Sequence, residues 1–247
     1  MFYSVDIRPL KGYLLILFVL LIFVPAKAQI GARAIIDRSI QFHDPDHILL
    51  SKEVSFHLTE TRPNGSDRKT VVTIDYSKEF YNIQRIIEGE EITMQWDQGA
   101  TSFWFNGSQT YSEEVAEKYN LNDAYISRMK DYYRYLWFLP STLLDPGTLV
   151  DDEVQLVDFF GKKALSVKVT YEENVGQDIW YFYFHPEYYN LIGYRFYHDE
   201  AINDGEYIIL DEITENQQLR LPRHRQWYTH KDEKFLGADI LDQIVIK

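Results

Sequence analysis

The chain contains no cysteine. That excludes a disulfide framework, a thiolate metal site, a cysteine nucleophile and a lipid-bearing cysteine behind a leader. Positive charge is scarce as well: 25 Lys and Arg stand against 38 Asp and Glu, a formal net charge of −13. Such a balance repels phosphates at long range and disfavours nucleic acid as a partner. The sequence has no GxSxG, no P-loop and no GxGxxG after a strand, so no enzyme motif is legible and no cofactor is called for.

Long apolar runs are missing too, with one exception, Leu14 to Val24. It is short for a bilayer span, follows Arg8 and Lys11, and precedes Ala26-Lys27-Ala28, small residues of the kind found at a cleavage site. Residues 1–28 are therefore expected to be a secretory signal peptide, with an uncleaved anchor as the alternative. Residues 29–247 are expected to form a single domain, periplasmic or secreted, with no lipid anchor.

What is present is pattern. Ile30 to His43 carries apolar residues at helical spacing until "DPD" at 44–46 stops it. From Lys52 to Gln98 the period changes to two, in "EVSFHLTE", "RKTVVTIDY", "EFYNIQRII" and "EITMQWD", followed by "TSFWFNG". Ser112 is placed to cap a short acidic helix, and Asn122 or Asp123 a second one that presents Ile126, Met129, Tyr133, Leu136 and Trp137 on one face. After the apolar loop "STLLDPGTL" strands resume, and the tail "ADILDQIVIK" is suited to close the sheet. The order excludes a βαβ series. It predicts an α+β protein with one large curved antiparallel sheet, a half-open barrel of about 10–11 strands, with helices packed on its concave face.

The stretch from Asp178 to Asp199, "DIWYFYFHPEYYNLIGYRFYHD", holds ten aromatic rings in 22 residues, a density that marks either a core or a binding wall. Together with "LRLPRHRQWY" and the exported leader, it resembles the LolA/LolB-like lipoprotein-carrier fold, and more closely a family of exported envelope proteins of unknown function with that fold. The resemblance covers residues 29–247. It implies a half-barrel whose interior receives acyl chains or a similar apolar ligand.

Strand alternation puts Trp180, Phe182 and Phe184 on one face, and Tyr194 and Phe196 on one face after the turn, in company with Ile192 and opposite Leu191. These five aromatics are the candidate ligand wall, with an ordinary filled core as the plainer reading. Trp137 and Phe138 are the candidate gate, or equally a fixed plug. Arg223 and Arg225, expected on one strand face with Trp227, are the candidate contact for an anionic group, unless they pair with the chain's own acids. His198, Asp199, Glu200, Asp204 and Glu206 form a polar cluster whose spacing fits no metal motif, so a solvated loop is expected and no metal.

Three functions follow as alternatives. The first is an exported, non-enzymatic carrier of a lipid, acyl chain or lipoprotein, touching a membrane transiently and meeting an envelope protein as partner. The second is an envelope hydrolase using His198 or His185 with a nearby carboxylate. The third is an interaction domain with a filled core.

Overall fold

The computed structural model describes residues 30–247. The expected signal peptide, 1–28, lies outside the described residues. Helix α1 (Ala32–His43) and the short α2 (Ile48–Ser51) precede five strands, β1 (Glu53–Thr61), β2 (Arg68–Asp75), β3 (Phe80–Ile87), β4 (Glu90–Asp97) and β5 (Ala100–Phe105). Then come α3 (Glu113–Tyr119) and α4 (Asp123–Trp137). Seven more strands finish the chain: β6 (Thr148–Phe159), β7 (Lys162–Tyr171), β8 (Ile179–Phe184), β9 (Leu191–Asp199), β10 (Asp204–Asn216), β11 (Leu219–Thr229) and β12 (Phe235–Ile246).

All twelve strands form one antiparallel sheet in the order β5-β4-β3-β2-β1-β12-β11-β10-β9-β8-β7-β6. The strands are one or two more than the alternation predicts, and the tail does pair at the seam, with Val54 opposite Ile246 and Phe56 opposite Ile244. Because the first run ends at one edge and the second begins at the other, the chain has to cross the whole sheet between β5 and β6. Helix α4 makes that crossing over the concave face. No helix among the described residues is long and apolar enough to cross a membrane.

The concave face carries the main core. Val54, Phe56 and Leu58 of β1, Phe182 and Phe184 of β8, Ile208 of β10 and Leu241 of β12 pack there against Ile35 and Ile36 of α1 and Leu136 and Trp137 of α4. The caps are those read from the sequence: Ser112 accepts from the Val115 amide and Asn122 from the Tyr125 amide. The loop after α4 turns through a 3-10 segment, Ser141–Leu144, and buries Thr142 and Leu143. Helix α2 escapes the sequence reading because its start is held not by the residue before it, His47, but by Asp44 four residues ahead of Ile48. The Asp44 carboxylate accepts from the Ile48 and Leu49 amides at 2.7 and 3.1 Å.

At the aromatic hairpin the register departs from simple alternation. Tyr183 pairs with Gly193 but Phe184 with Leu191, so Ile192 is a bulge. Leu191 therefore joins Tyr194 in the concave core, while Ile192 turns outward onto a small cluster with Phe159, Ala164 and Tyr183. That corrects the expectation that Ile192 shares a face with Tyr194. Gly193 is required by the same cluster, since a Cβ there would lie 2.3 Å from the Phe159 ring and 2.7 Å from the Ile208 carbonyl.

Helix α1 is pinned by His43, which is buried. Its Nδ1 stands 2.6 Å from the Arg220 carbonyl and its Nε2 accepts from the Leu191 amide at 3.0 Å. Only the neutral ring with a proton on Nδ1 makes both bonds. Burial accordingly pulls the His43 pKa down from 6.5 to about 4, against the pull of the Arg220 carbonyl. The neutral ring stabilises the fold fully above pH 6.5, and that contribution, about 3 kcal/mol, is lost as pH falls toward 4. Denaturant titrations between pH 7 and 4.5 are expected to show this slope in the wild type and its absence in His43→Gln; equal slopes would contradict the role.

Candidate functional site

The five wall residues all face the concave side, and their rings form a ladder across β8 and β9. Trp180 stacks on Phe182 with centroids 5.9 Å apart and leans on Phe196 at 4.8 Å and 30°, and Phe182 meets Tyr194 at 5.8 Å. Phe182, Phe184 and Tyr194 are fully enclosed, whereas Trp180 and Phe196 keep part of their surface open. The ladder is thus core at its lower end and accessible at its upper end.

Trp137 and Phe138 close the C-terminal end of α4 and are buried. Trp137 stacks on Phe56 at 5.3 Å and 18°, and Phe138 leans on Tyr76 at 5.8 Å. They fill the concave space as a plug would. The structure separates the two arginines expected together. Arg225 is buried under α4, its guanidinium 4.2 Å from the centre of the Trp137 ring and donating to the Leu136 carbonyl at 2.9 Å. Arg223 is exposed and pairs with Glu212 at 3.1 Å, opposite the point where Glu212 takes a left-handed φ of 52°. Arg225 therefore holds the helix end to the sheet, and solvent reaches only Arg223.

Beside the open end of the ladder lies a cleft of about 410 Å³ between the α4 to β6 segment and strands β7 and β8. Trp180, Tyr135 and Tyr171 make its aromatic lining, and Arg134, Asp131, Asp145 and Asp178 are its charged members. The Tyr135 and Tyr171 hydroxyls bond each other across the cleft. Burial pushes the Tyr171 pKa up to about 12, so both phenols stay neutral at ordinary pH. Arg134 on α4 grips both carboxylate oxygens of Asp145, a fork that fixes the loop to the helix. Val175, from the β7 to β8 loop, lies against Gly147 and covers part of the opening.

The two histidines differ. His185 is a turn residue, its Nδ1 accepting from the Glu187 and Tyr188 amides. His198 pairs with Asp178 at 2.7 Å on the rim of the cleft, and that bond raises its pKa. Neither serine nor cysteine lines the cleft. Among the described residues no group of three or more His, Asp or Glu is placed to hold a metal ion.

Compared with known proteins, the chain matches a family of unknown function (DUF6503) over residues 11–243. The chain belongs to this family. No curated protein matches the sequence. Among solved structures, a domain from Vibrio parahaemolyticus assigned to outer membrane lipoprotein sorting aligns with a TM-score of 0.50 at 9% identity, over 87% of this chain and 90% of that one. A LolA superfamily protein from Nitrosomonas europaea aligns at 0.47 and 8% identity, over 88% and 94%. A DUF1329 family protein from Desulfovibrio piger aligns at 0.49 and 7%, over 86% and 91%. The likeness is one of fold, and the fold is the LolA-like half-barrel that the aromatic hairpin resembles.

In this DUF6503 chain the position of the cleft depends on a buried polar network that the sequence reading missed. Glu60, at the inner end of β1, accepts from Arg68 at 2.7 Å, from Tyr133 of α4 at 3.0 Å and from Thr70. Arg85 donates to Tyr133 at 2.6 Å and to Tyr125 at 2.9 Å. Burial alone would raise the Glu60 carboxyl, but the bond from Arg68 and the charges of Arg85 and Arg68 bring its pKa down to about 2. Tyr133 is the joint between helix and sheet. Replacing it with Phe leaves Glu60 and Arg85 each one partner short, and is expected to cost roughly 1–3 kcal/mol. Thermal or denaturant unfolding of Tyr133→Phe checks this, and an unchanged stability would remove the network from the account.

Proposed function

We propose that the chain is an exported, non-enzymatic binding or carrier protein of the cell envelope, whose half-barrel takes an apolar ligand through the cleft beside Trp180. Residues 29–247 act as one such domain, released by cleavage after Ala28. The single observation that carries the reading is the cleft itself. A space of about 410 Å³ opens beside the aromatic ladder at Trp180, which like Phe196 keeps accessible surface at the ladder's upper end. Apolar and aromatic lining with a few placed polar groups is the usual make-up of a small-ligand site. The assignment of the Vibrio domain to lipoprotein sorting is in keeping with an acyl-bearing cargo.

In this reading Trp180 and Phe196 meet the ligand first, with Phe182, Phe184 and Tyr194 behind them as the wall that a longer chain would reach. Trp137 and Phe138 are the gate. They close the concave space from its inner side and stay seated on Phe56 and Arg225, so that a ligand reaching past Trp180 displaces only the α4 to β6 loop. Arg223, exposed midway along β11, is left to a partner's carboxylate or an anionic surface.

The hydrolase reading rests on one observation, the His198 and Asp178 pair at the rim. That pair joins the β8 and β9 ends of the rim, and the lining beside it holds neither serine nor cysteine, so the carrier reading accounts for it more simply as a fastening. Native mass spectrometry of protein purified from the envelope, followed by organic extraction, is expected to find a co-purifying apolar molecule. The absence of any such molecule, together with no binding of alkyl probes in solution, would overturn the carrier reading.

A further inference from the structure

The lining of the cleft discriminates by charge as well as by shape. Trp180, Tyr135 and Tyr171 meet as the sides of a corner. Tyr135 stands at 64° to Trp180 with centroids 5.6 Å apart, and at 66° to Tyr171 with centroids 6.5 Å apart. The two tyrosine hydroxyls are engaged with each other, so what the pair offers a ligand is mainly ring. Around this corner stand three carboxylates, Asp131, Asp145 and Asp178, and one cation, Arg134, which is held by both oxygens of Asp145. The partners of the other two acids are not part of the lining. Asp178 is held by His198 at the rim, and Asp131 by Lys130, whose ammonium lies 5.4 and 5.0 Å from the Tyr81 and Trp96 rings on the far flank of α4.

A cation gains from both features. Ring faces attract it through their quadrupole, most strongly for Trp, and flanking carboxylates add Coulomb attraction inside a partly desolvated cleft. An anionic head would meet the same carboxylates as repulsion, and the chain's net charge of −13 adds to that difference during approach. We infer that the cleft recognises an ammonium group, primary or quaternary, at the head of the ligand. The inference rests on the carrier reading for the ligand's tail, while the head is read independently from the cleft lining.

Isothermal titration calorimetry with four soluble probes, decyltrimethylammonium, decanol, decanoate and choline, each below its aggregation threshold, separates the two claims. Decyltrimethylammonium is expected to bind about tenfold more tightly than decanol, with decanoate weaker than both. Choline, the head without a tail, is expected to bind at least tenfold more weakly than the decyl cation. In Asp178→Asn and in Trp180→Leu the advantage of the cation over decanol is expected to shrink to a few-fold. In Asp97→Asn, which removes an exposed carboxylate at the end of β4 outside the cleft, the advantage should persist. Equal binding of decanol, decanoate and the decyl cation to the wild type overturns the ammonium inference and leaves the carrier reading standing. Choline matching the decyl cation keeps the ammonium site and overturns the carrier reading, and no binding by any probe overturns both. Should either cleft variant fail to fold, the wild-type series and Asp97→Asn decide alone.

Discussion

Glu60 and the two arginines beside it fix where α4 lies, and through α4 they fix what the concave face can hold. A carboxylate and the Arg85 guanidinium buried under a helix, with the part-exposed Arg68 beside them, are tolerated only where they find partners, because removing one leaves an uncompensated charge in a medium that solvates it poorly. Here Arg68, Thr70, Tyr133 and Arg85 supply those partners, and Tyr133 is the one that belongs to the helix. The network therefore does more than tolerate α4. It admits the helix in one register along the sheet, the one that brings the Tyr133 hydroxyl to Glu60.

From that register the rest follows by helical geometry. With Tyr133 turned to β1 and β3, Trp137 one turn later falls on Phe56, while Tyr135 is rotated toward β7 and β8 and Arg134 toward Asp145. One flank of the helix is thus bound to the sheet by a charged network and by Arg225 under Trp137. The other flank meets the sheet through the Tyr135 to Tyr171 bond and the contact of Tyr135 with Trp180. A sheet that stays open between β5 and β6 has to be stoppered. This one is stoppered firmly on one side and loosely on the other, and the cleft lies on the loose side. The functional reading depends on that asymmetry more than on the fold, since a half-barrel with both flanks sealed would be only a packed domain.

Much of the scaffold was legible in the chain. Period-two alternation predicts the strands, Ser112 and Asn122 mark the helix starts they cap, and the apolar tail is placed to close the seam it closes. The shared concave face of Trp180, Phe182 and Phe184, and of Tyr194 and Phe196, was legible too, because alternate residues along a strand share a face. Alternation fails where the backbone departs from it. The bulge at Ile192 exchanges the faces of Leu191 and Ile192, and the left-handed turn at Glu212 parts Arg223 from Arg225. No local pattern announces either. The cleft was illegible for a different reason: its lining comes from 131–148 and from 171–180, segments brought together only when the chain crosses the sheet. Glu60 likewise reads as an ordinary polar strand end until Tyr133, 73 residues away, is laid over it.

The central claim is that a ligand enters on the loose flank of α4 while the Glu60 side stays closed. Amide hydrogen exchange followed by mass spectrometry, with and without saturating decanol, tests it most directly. The account predicts slowed exchange in peptides covering 134–148 and 171–180 on binding, with exchange in 53–61 and 80–97 unchanged. Protection confined to the convex face, or loosening of the segments around Glu60 and Arg85, would contradict it.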